Sequence, residues 1–379
     1  MKKIIAFVLR LLFGGVFLFS GFVKAVDPLG TTYKVEEYMN VFGFSSLLDV
    51  AGWLPMLIAV LLIVMEFMIG ALMVLHYYKK PVRITAAFFM IFFTIVTLVD
   101  AVTNNVSDCG CFGDAIVLTN WETFWKNIAL DIVLALIFVF DTKDTRNYTQ
   151  KTPFVVSIII FTLITIFAIR NIVYEPIIDF RPWKIGNKMA PTISEQKPPV
   201  TYATYKNLQT GEEKEFSMEA EGENTLMAAY AKDSLFSDHW EYIEGKNRAV
   251  GTNTVNADGF SLTAYEGNQD EALEILGDEE NDLYMLAVWN MEEVSDKGMK
   301  TIRKYIENLS KKDHTNIIIV TASTTNKWLD FQEKYDLGQF MFYSCDDKAI
   351  KAMIRANPGL VHLNKGIVKE KYSWRSLPQ

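Results

Sequence analysis

Cysteine is scarce in this chain, with three in 379 residues, and histidine is hardly commoner at four. So few cysteines exclude a disulfide-stapled scaffold. The histidines, His76, His239, His314 and His362, are too scattered to form a zinc-type ligand pattern. Basic residues are not in excess either. The balance of 37 Lys and Arg against 45 Asp and Glu leaves a net charge of -8, which argues against nucleic acid as a partner because that calls for a basic stripe. There is no internal repeat and no low-complexity tract. From Val102 to Asn120 lysine and arginine are missing altogether.

Two of the three cysteines sit inside that last stretch, in Asp108-Cys109-Gly110-Cys111-Phe112-Gly113-Asp114. A disulfide closed between such near neighbours has poor geometry and is more easily reduced than a relaxed bridge. The pair therefore points to redox chemistry rather than to a staple. Gly110 and Gly113 supply the backbone freedom that so tight a turn needs.

Five apolar segments are long enough to span a bilayer: Ile4–Ala25, Ala51–Tyr78, Ile84–Ala101, Trp121–Phe140 and Thr152–Ile169. Basic clusters alternate between them. Lys2 and Lys3 precede the first, Lys79, Lys80 and Arg83 separate the second and third, and Lys143, Arg146 and Lys151 separate the fourth and fifth. By the positive-inside rule all three clusters are cytoplasmic, so the cysteine loop and everything after Arg170 fall outside. A cleaved signal peptide is the competing reading of the first segment. Arg10 within the run, and the lack of a small-x-small site before Lys24, weigh against it.

Ionisable side chains within spans are functional candidates, because hydrocarbon penalises them. Arg10, Glu66 and Asp131 qualify, and Asn127 stands one turn from Asp131 on the same face. A pair between Arg10 and a carboxylate is expected, serving either proton handling or bundle cohesion. Gly14-Gly15 and Ser20-Gly21 permit close helix approach, and Lys24 is expected to snorkel at the outer surface. Tyr33, Val35, Tyr38, Met39 and Phe42 have the spacing of an amphipathic helix at the outer interface, near the cysteine loop.

These features together, namely Arg10, Gly14, Phe17, Ser20-Gly21 and Lys24-Ala25-Val26-Asp27-Pro28, a second helix with Glu66, and Cys109-Gly110-Cys111-Phe112-Gly113, resemble the DoxX/MauE group of bacterial membrane proteins. The resemblance covers roughly the first 140 residues. It implies a four-helix bundle in the cytoplasmic membrane. MauE-like members are linked to maturation of methylamine dehydrogenase, a disulfide-rich periplasmic enzyme, and DoxX-like relatives to quinone-coupled sulfur oxidation. Both imply electron flow from thiols to a membrane quinone, carried here by Cys109 and Cys111. The fifth span and the large outer domain depart from that pattern, so a role confined to methylamine metabolism is not expected.

Beyond a polar, proline-bearing linker at 186–200, the chain changes character. Tyr202–Phe216 reads as a hairpin turning at Gln209-Thr210-Gly211, and Ala249–Tyr265 as further extended chain. From Asp282 onward, buried strands at Leu283–Val288, Asn316–Val320 and Gln339–Tyr343 alternate with helical spacing at Val294–Leu309, Lys327–Tyr335 and Lys348–Ala356. A hairpin of Leu360–Leu363 and Ile367–Tyr372 follows. This order looks like a thioredoxin fold, with Asn357-Pro358-Gly359 resembling its cis-proline corner. The resemblance places Trp289 just before the redox motif, yet the cysteine positions hold Asn290 and Glu293, so this domain is expected to bind through Trp289 and Pro358 rather than catalyse. Cys345 lies off the active position and is expected to be a packing residue.

The expected organisation is a bundle at 1–145, a fifth transmembrane helix at 146–185, the linker, a mixed extended subdomain at 201–280 and a thioredoxin-like domain at 281–379. Two functions compete. One is a thiol–disulfide protein coupled to quinone, working on an extracytoplasmic partner or substrate protein. The other is a membrane-tethered binding protein in which the loop disulfide is structural. A metal held by Cys109, Cys111 and Asp108 or Asp114 lacks a nearby histidine. A small-molecule transporter using Glu66 and Asp131 is the remaining alternative.

Overall fold

The computed structural model of the chain describes residues 2–104, 106, 109–140, 151–191, 200–218, 225–233, 235–248, 260–264, 267 and 269–378. Asp108, Lys143, Arg146, Lys197-Pro198-Pro199 and most of Ala249–Tyr265 lie outside these residues. Two units are distinguished. The first is Met1–Lys184 with Ala352–Gly359 and Tyr372–Gln379; the second is Ile185–Lys351 with Leu360–Lys371.

The first unit contains α1 (Lys2–Val26), α2 (Pro28–Val41), α3 (Ser45–Val50), α4 (Leu54–Leu75), α5 (Lys79–Thr103), α6 (Asn120–Phe140) and α7 (Lys151–Val173). Five of these, α1, α4, α5, α6 and α7, are 21 to 25 residues long and apolar enough to cross a membrane. At about 1.5 Å per residue, such lengths match a hydrocarbon core of about 30 Å. They coincide with the five expected segments, and the chain is a multi-pass membrane protein. Phe88, Ile91 and Ile95 on α5 and Leu163 and Ile166 on α7 are outward and exposed, a surface suited to lipid rather than water.

Phe13 and Phe17 of α1, Ile69 and Met73 of α4, Ala86 and Met90 of α5, and Leu130, Leu134 and Ile137 of α6 form one buried cluster, which makes these four helices the bundle. The fifth span, α7, packs beside it through Ile164 and Ala168 against Ala25, Ile63 and Val64. Glycine brings α1 and α4 together. A Cβ on Gly21 would lie 2.7 Å from the Phe67 backbone nitrogen, and one on Gly70 would lie 2.6 Å from that of Leu18. The two helices run antiparallel, since Gly14 meets Gly70 and Gly21 meets Phe67. Gly15 faces open space and takes no part in this seam. After α1, Asp27 accepts a hydrogen bond from the Gly30 N–H at 3.1 Å, and Pro28 opens α2, so the chain turns sharply into the short helix.

The second unit opens with β1 (Val200–Asn207) and β2 (Glu213–Ser217), an antiparallel hairpin paired on its other side with β3 (Trp240–Arg248). Between β2 and β3 come α8 (Thr225–Lys232) and α9 (Phe236–His239). Their core is Ala203, Phe216, Leu226 and Phe236.

A larger six-stranded sheet follows. Its elements are β4 (Thr263–Ala264), α10 (Ala272–Leu276), β5 (Asp282–Ala287), α11 (Asp296–Leu309), β6 (Thr315–Thr321), α12 (Thr325–Tyr335), β7 (Met341–Ser344), α13 (Asp347–Met353), β8 (Gly359–Asn364) and β9 (Ile367–Ser373). The strand order is β4-β7-β6-β5-β8-β9, with β5, β6 and β7 parallel. The central strands are apolar along nearly their whole length because both faces are covered. On α11, Met299, Ile302, Ile306 and Leu309 recur at helical spacing and are all buried, while the Ser295 hydroxyl caps its start by accepting from the Gly298 N–H. The βαβ units on one side of β5 and the terminal hairpin on the other make this a thioredoxin-like α/β domain. The Asn357–Pro358 bond is cis.

Because backbone, not a flexible side chain, faces Gly21, Gly21→Ala is expected to destabilise the bundle by about 1–3 kcal/mol, whereas Gly15→Ala should be neutral. Thermal denaturation of both variants in detergent checks this pair.

Candidate thiol site in the membrane bundle

The loop after α5 enters the bundle rather than lying over it. Gly110 and Gly113 have φ of 59° and 50°, a region open chiefly to glycine, and so permit the tight turn that the motif suggested. The Phe112 ring sits 5.5 Å from that of Phe19 and has the Lys126 ammonium 4.6 Å from its centroid. The Cys111 carbonyl lies 2.7 Å from the Ser20 hydroxyl, which is also 2.8 Å from Glu66 Oε2. One hydroxyl proton thus faces two acceptors, and Ser20 ties the loop to Glu66. The other Glu66 oxygen is 2.7 Å from Lys24 Nζ, and both side chains of that ion pair are less than a tenth exposed.

This pairing corrects one expectation, that Lys24 snorkels at the outer surface. Glu66 meets Lys24, not Arg10, because α1 and α4 are antiparallel and Arg10 lies about 15 Å along α1 from Ser20. Arg10 is buried, with its Nε donating to the Ala6 carbonyl. Lys24, one turn beyond Ser20, does not snorkel; the buried Glu66 carboxylate holds it inside. Asn127 and Asp131 also part company. The Asn127 amide donates to Thr97 at 3.2 Å and lines the same cavity as Glu66, whereas Asp131 accepts from Thr94 at 2.8 Å against α5.

Ser20, Lys24, Glu66, Cys111, Lys126 and Asn127 supply the polar wall of that cavity. The cavity is small, with room for about two waters.

Around Cys109 the structure assembles residues that sequence reasoning had read only as helix ends and as an interfacial helix. Cys109 Sγ is 3.5 Å from Asp100 Oδ2 and 3.6 Å from Asn120 Oδ1. Tyr38 of α2 donates to the same Asp100 oxygen at 2.5 Å, and the Asn120 amide donates to the Val106 carbonyl at 2.9 Å. Burial, then the neighbouring Cys111 thiol, push the Cys109 thiol up to about 12, with Asp100 adding to the rise and the Tyr38 hydroxyl opposing it. The Tyr38 phenol is likewise pushed up, by burial and then by its bond to Asp100. Cys109, Cys111 and Cys345 are free thiols.

The first unit also holds Arg355 against Asp27, with Nε donating at 2.9 Å, and against Asp114 at 3.2 Å. Burial raises the Asp27 carboxyl, but the Arg355 guanidinium outweighs it and holds the group below its ordinary range. Pro358 belongs to the same short stretch of this unit. In the second unit, Trp289 follows β5, and the Lys351 ammonium lies 4.9 Å from its ring centroid. Cys345 is buried, with burial the main cause that pushes its thiol up to about 12. Cys111, Glu66 and Asn127 therefore line one cavity, with Cys109 two residues from Cys111, while Arg10 and Asp131 are not among its lining residues. One signal for the missed residues was available: Ser20 and Lys24 share a face at i and i+4, opposite the only acidic residue of α4.

Five spans with a polar interior and a two-thiol loop define the class, a multi-pass membrane protein carrying a thioredoxin-like domain. The family model described as methylamine utilisation protein MauE matches residues 2–141. No curated protein matches the chain. A solved structure from Bacteroides thetaiotaomicron, described as "C-terminal domain of putative thiol-disulfide oxidoreductase", is 13% identical and covers 30% of this chain and 81% of its own, with a TM-score of 0.25. The fold assignment above rests on strand order and not on that likeness.

Three outcomes follow from this geometry. Glu66→Ala leaves the Lys24 charge buried alone and is expected to cost about 3–5 kcal/mol in a detergent melt, with part of the loss recovered by adding Lys24→Met. Cys345 should resist iodoacetamide at pH 8 in the folded chain, since only about one thiol in ten thousand is then ionised. Asp27 has a lowered value when folded, so its stabilisation is present above its unfolded value of 3.8 and is lost as pH falls through the folded one. Melting temperatures of the wild type should therefore decline more steeply on acidification than those of Asp27→Asn.

Proposed function

We propose that the protein carries out thiol–disulfide exchange through Cys109 and Cys111 with an extracytoplasmic protein partner. The observation that carries this reading is the placement of the two free thiols in a loop tied to the bundle interior, with Cys109 hydrogen-bonded to Asp100 and Asn120. Thiolates perform such exchange, and their ionisation sets the rate. The kinship with DoxX-type proteins and the setting in a bacterial cytoplasmic membrane belong to the same proposal. So does the orientation, with the N-terminus inside and the loop and the α/β domain outside. Lys2, Lys3, Lys79, Lys80 and Arg83 at one end of the spans, and none between Val102 and Asn120, support it. A membrane quinone as final acceptor of the electrons belongs to the same proposal.

A second reading has its own support. Trp289 is followed by Asn290 and Glu293 where thiols would be needed, so the α/β domain serves as a partner-binding module, and the bundle would then be its anchor.

The two separate on one measurement. Membranes are alkylated with and without prior reduction, and the state of Cys109 and Cys111 is read by mass. Exchange predicts a disulfide that opens under mild reductant, closes on reoxidation and is abolished in Cys109→Ser and Cys111→Ser. A pair that never closes, or stays shut under mild reductant, leaves the anchored binding module.

A further inference from the structure

The surroundings of the two sulfurs differ in kind. Tyr38 from α2, Asp100 from α5, Asn120 from α6 and Cys111 from the loop face Cys109, and none of them is a cation. Asp100 Oδ2 and Asn120 Oδ1 are both acceptors, so Cys109 meets them as a donor, with its proton on sulfur. Asp100 is 1% exposed and is held in place by Tyr38. A thiolate at Cys109 would face a buried carboxylate. Cys111 instead borders two clefts, one shared with Lys24, Glu66 and Lys126 and the other with Gly113, Ile116 and Thr123.

We propose that the two thiols have separate tasks, with Cys111 meeting a partner's sulfur, Cys109 resolving the resulting bond, and Asp100 acting as the positioning residue that keeps the Cys109 proton on sulfur until that resolving step. This rests on the exchange reading above and assigns its roles. The oxidant is a protein disulfide. The Cys111 thiolate attacks one of its sulfurs, the other leaves with the electron pair, and a mixed disulfide forms. Cys109 then gives up its proton to water and bonds to Cys111 Sγ, while the Cys111–partner bond breaks and its electron pair leaves on the partner's sulfur. The partner disulfide gains two electrons and the loop dithiol loses two. In reverse, Cys109 regains its proton and again donates to Asp100 Oδ2.

The test uses the full chain in lipid nanodiscs, with iodoacetamide rates read at each cysteine across pH and oxidised glutathione as the disulfide probe. In the wild type Cys111 should react far faster than Cys109 at pH 8. Asp100→Asn removes the facing charge and should quicken Cys109 about tenfold at that pH, a shift of about one pH unit in its profile, with Cys111 unchanged. Asn120→Asp adds a second carboxylate and should slow Cys109 about tenfold, a change that misfolding cannot imitate. Glutathione should be trapped on Cys111 in Cys109→Ser but hardly on Cys109 in Cys111→Ser. Equal wild-type rates, unmoved Cys109 profiles in both variants, or glutathione trapped on Cys109 would overturn the assignment while leaving exchange intact. A wild-type pair that neither takes up glutathione nor closes under oxidation would overturn the exchange reading itself.

Discussion

A charge cannot be left alone in a hydrocarbon slab, and in this bundle that constraint is met by Lys24 and Glu66. The two span the seam between α1 and α4 at 2.7 Å, both nearly sealed from solvent. Their worth lies less in net stabilisation than in what each prevents, since a buried ion stripped of its counter-ion is far costlier than an intact pair. Once Glu66 is fixed, its second oxygen is available to Ser20, and Ser20 in turn reaches the Cys111 carbonyl. The position of the Cys111 carbonyl is thus tied to that ion pair through the Ser20 hydroxyl.

The loop in turn divides its surroundings. On the Cys111 side lie lysines and a small polar-walled cleft; on the Cys109 side lie a carboxylate, a phenol and an amide oxygen. Two residues apart in sequence, the sulfurs inhabit different chemical environments, because Tyr38, Asp100 and Asn120 gather at Cys109 whereas Lys24, Glu66 and Lys126 border the cleft at Cys111. In the proposed reading redox chemistry falls to the bundle and recognition to the α/β domain, where Asn290 and Glu293 follow Trp289.

Much of this was legible in the chain. The five spans stood out as apolar runs of bilayer length, and the α/β elements as alternating strand and helix periodicities, because burial on one or both faces leaves a repeating imprint. Cys109 and Cys111 stood out by rarity. Their partners did not, for a physical reason. Tyr38, Asp100 and Asn120 lie on three helices whose relative rotation is set by packing, and no local pattern encodes it. That Glu66 meets Lys24 follows from the antiparallel register that Gly14, Gly21 and Gly70 impose, which no local pattern encodes either. Lys24 looked like a boundary residue because its neighbours Asp27 and Pro28 end the helix, and only the facing helix reveals that it turns inward.

The glycine seam has a mechanical consequence. Where two backbones touch with no side chains between them, there is nothing compressible to absorb a shift, so α1 and α4 behave as a single rigid plank. Any rearrangement that accompanies opening and closing of a sulfur–sulfur bond must then be accommodated on the opposite flank, by the ends of α5 and α6 that flank the loop.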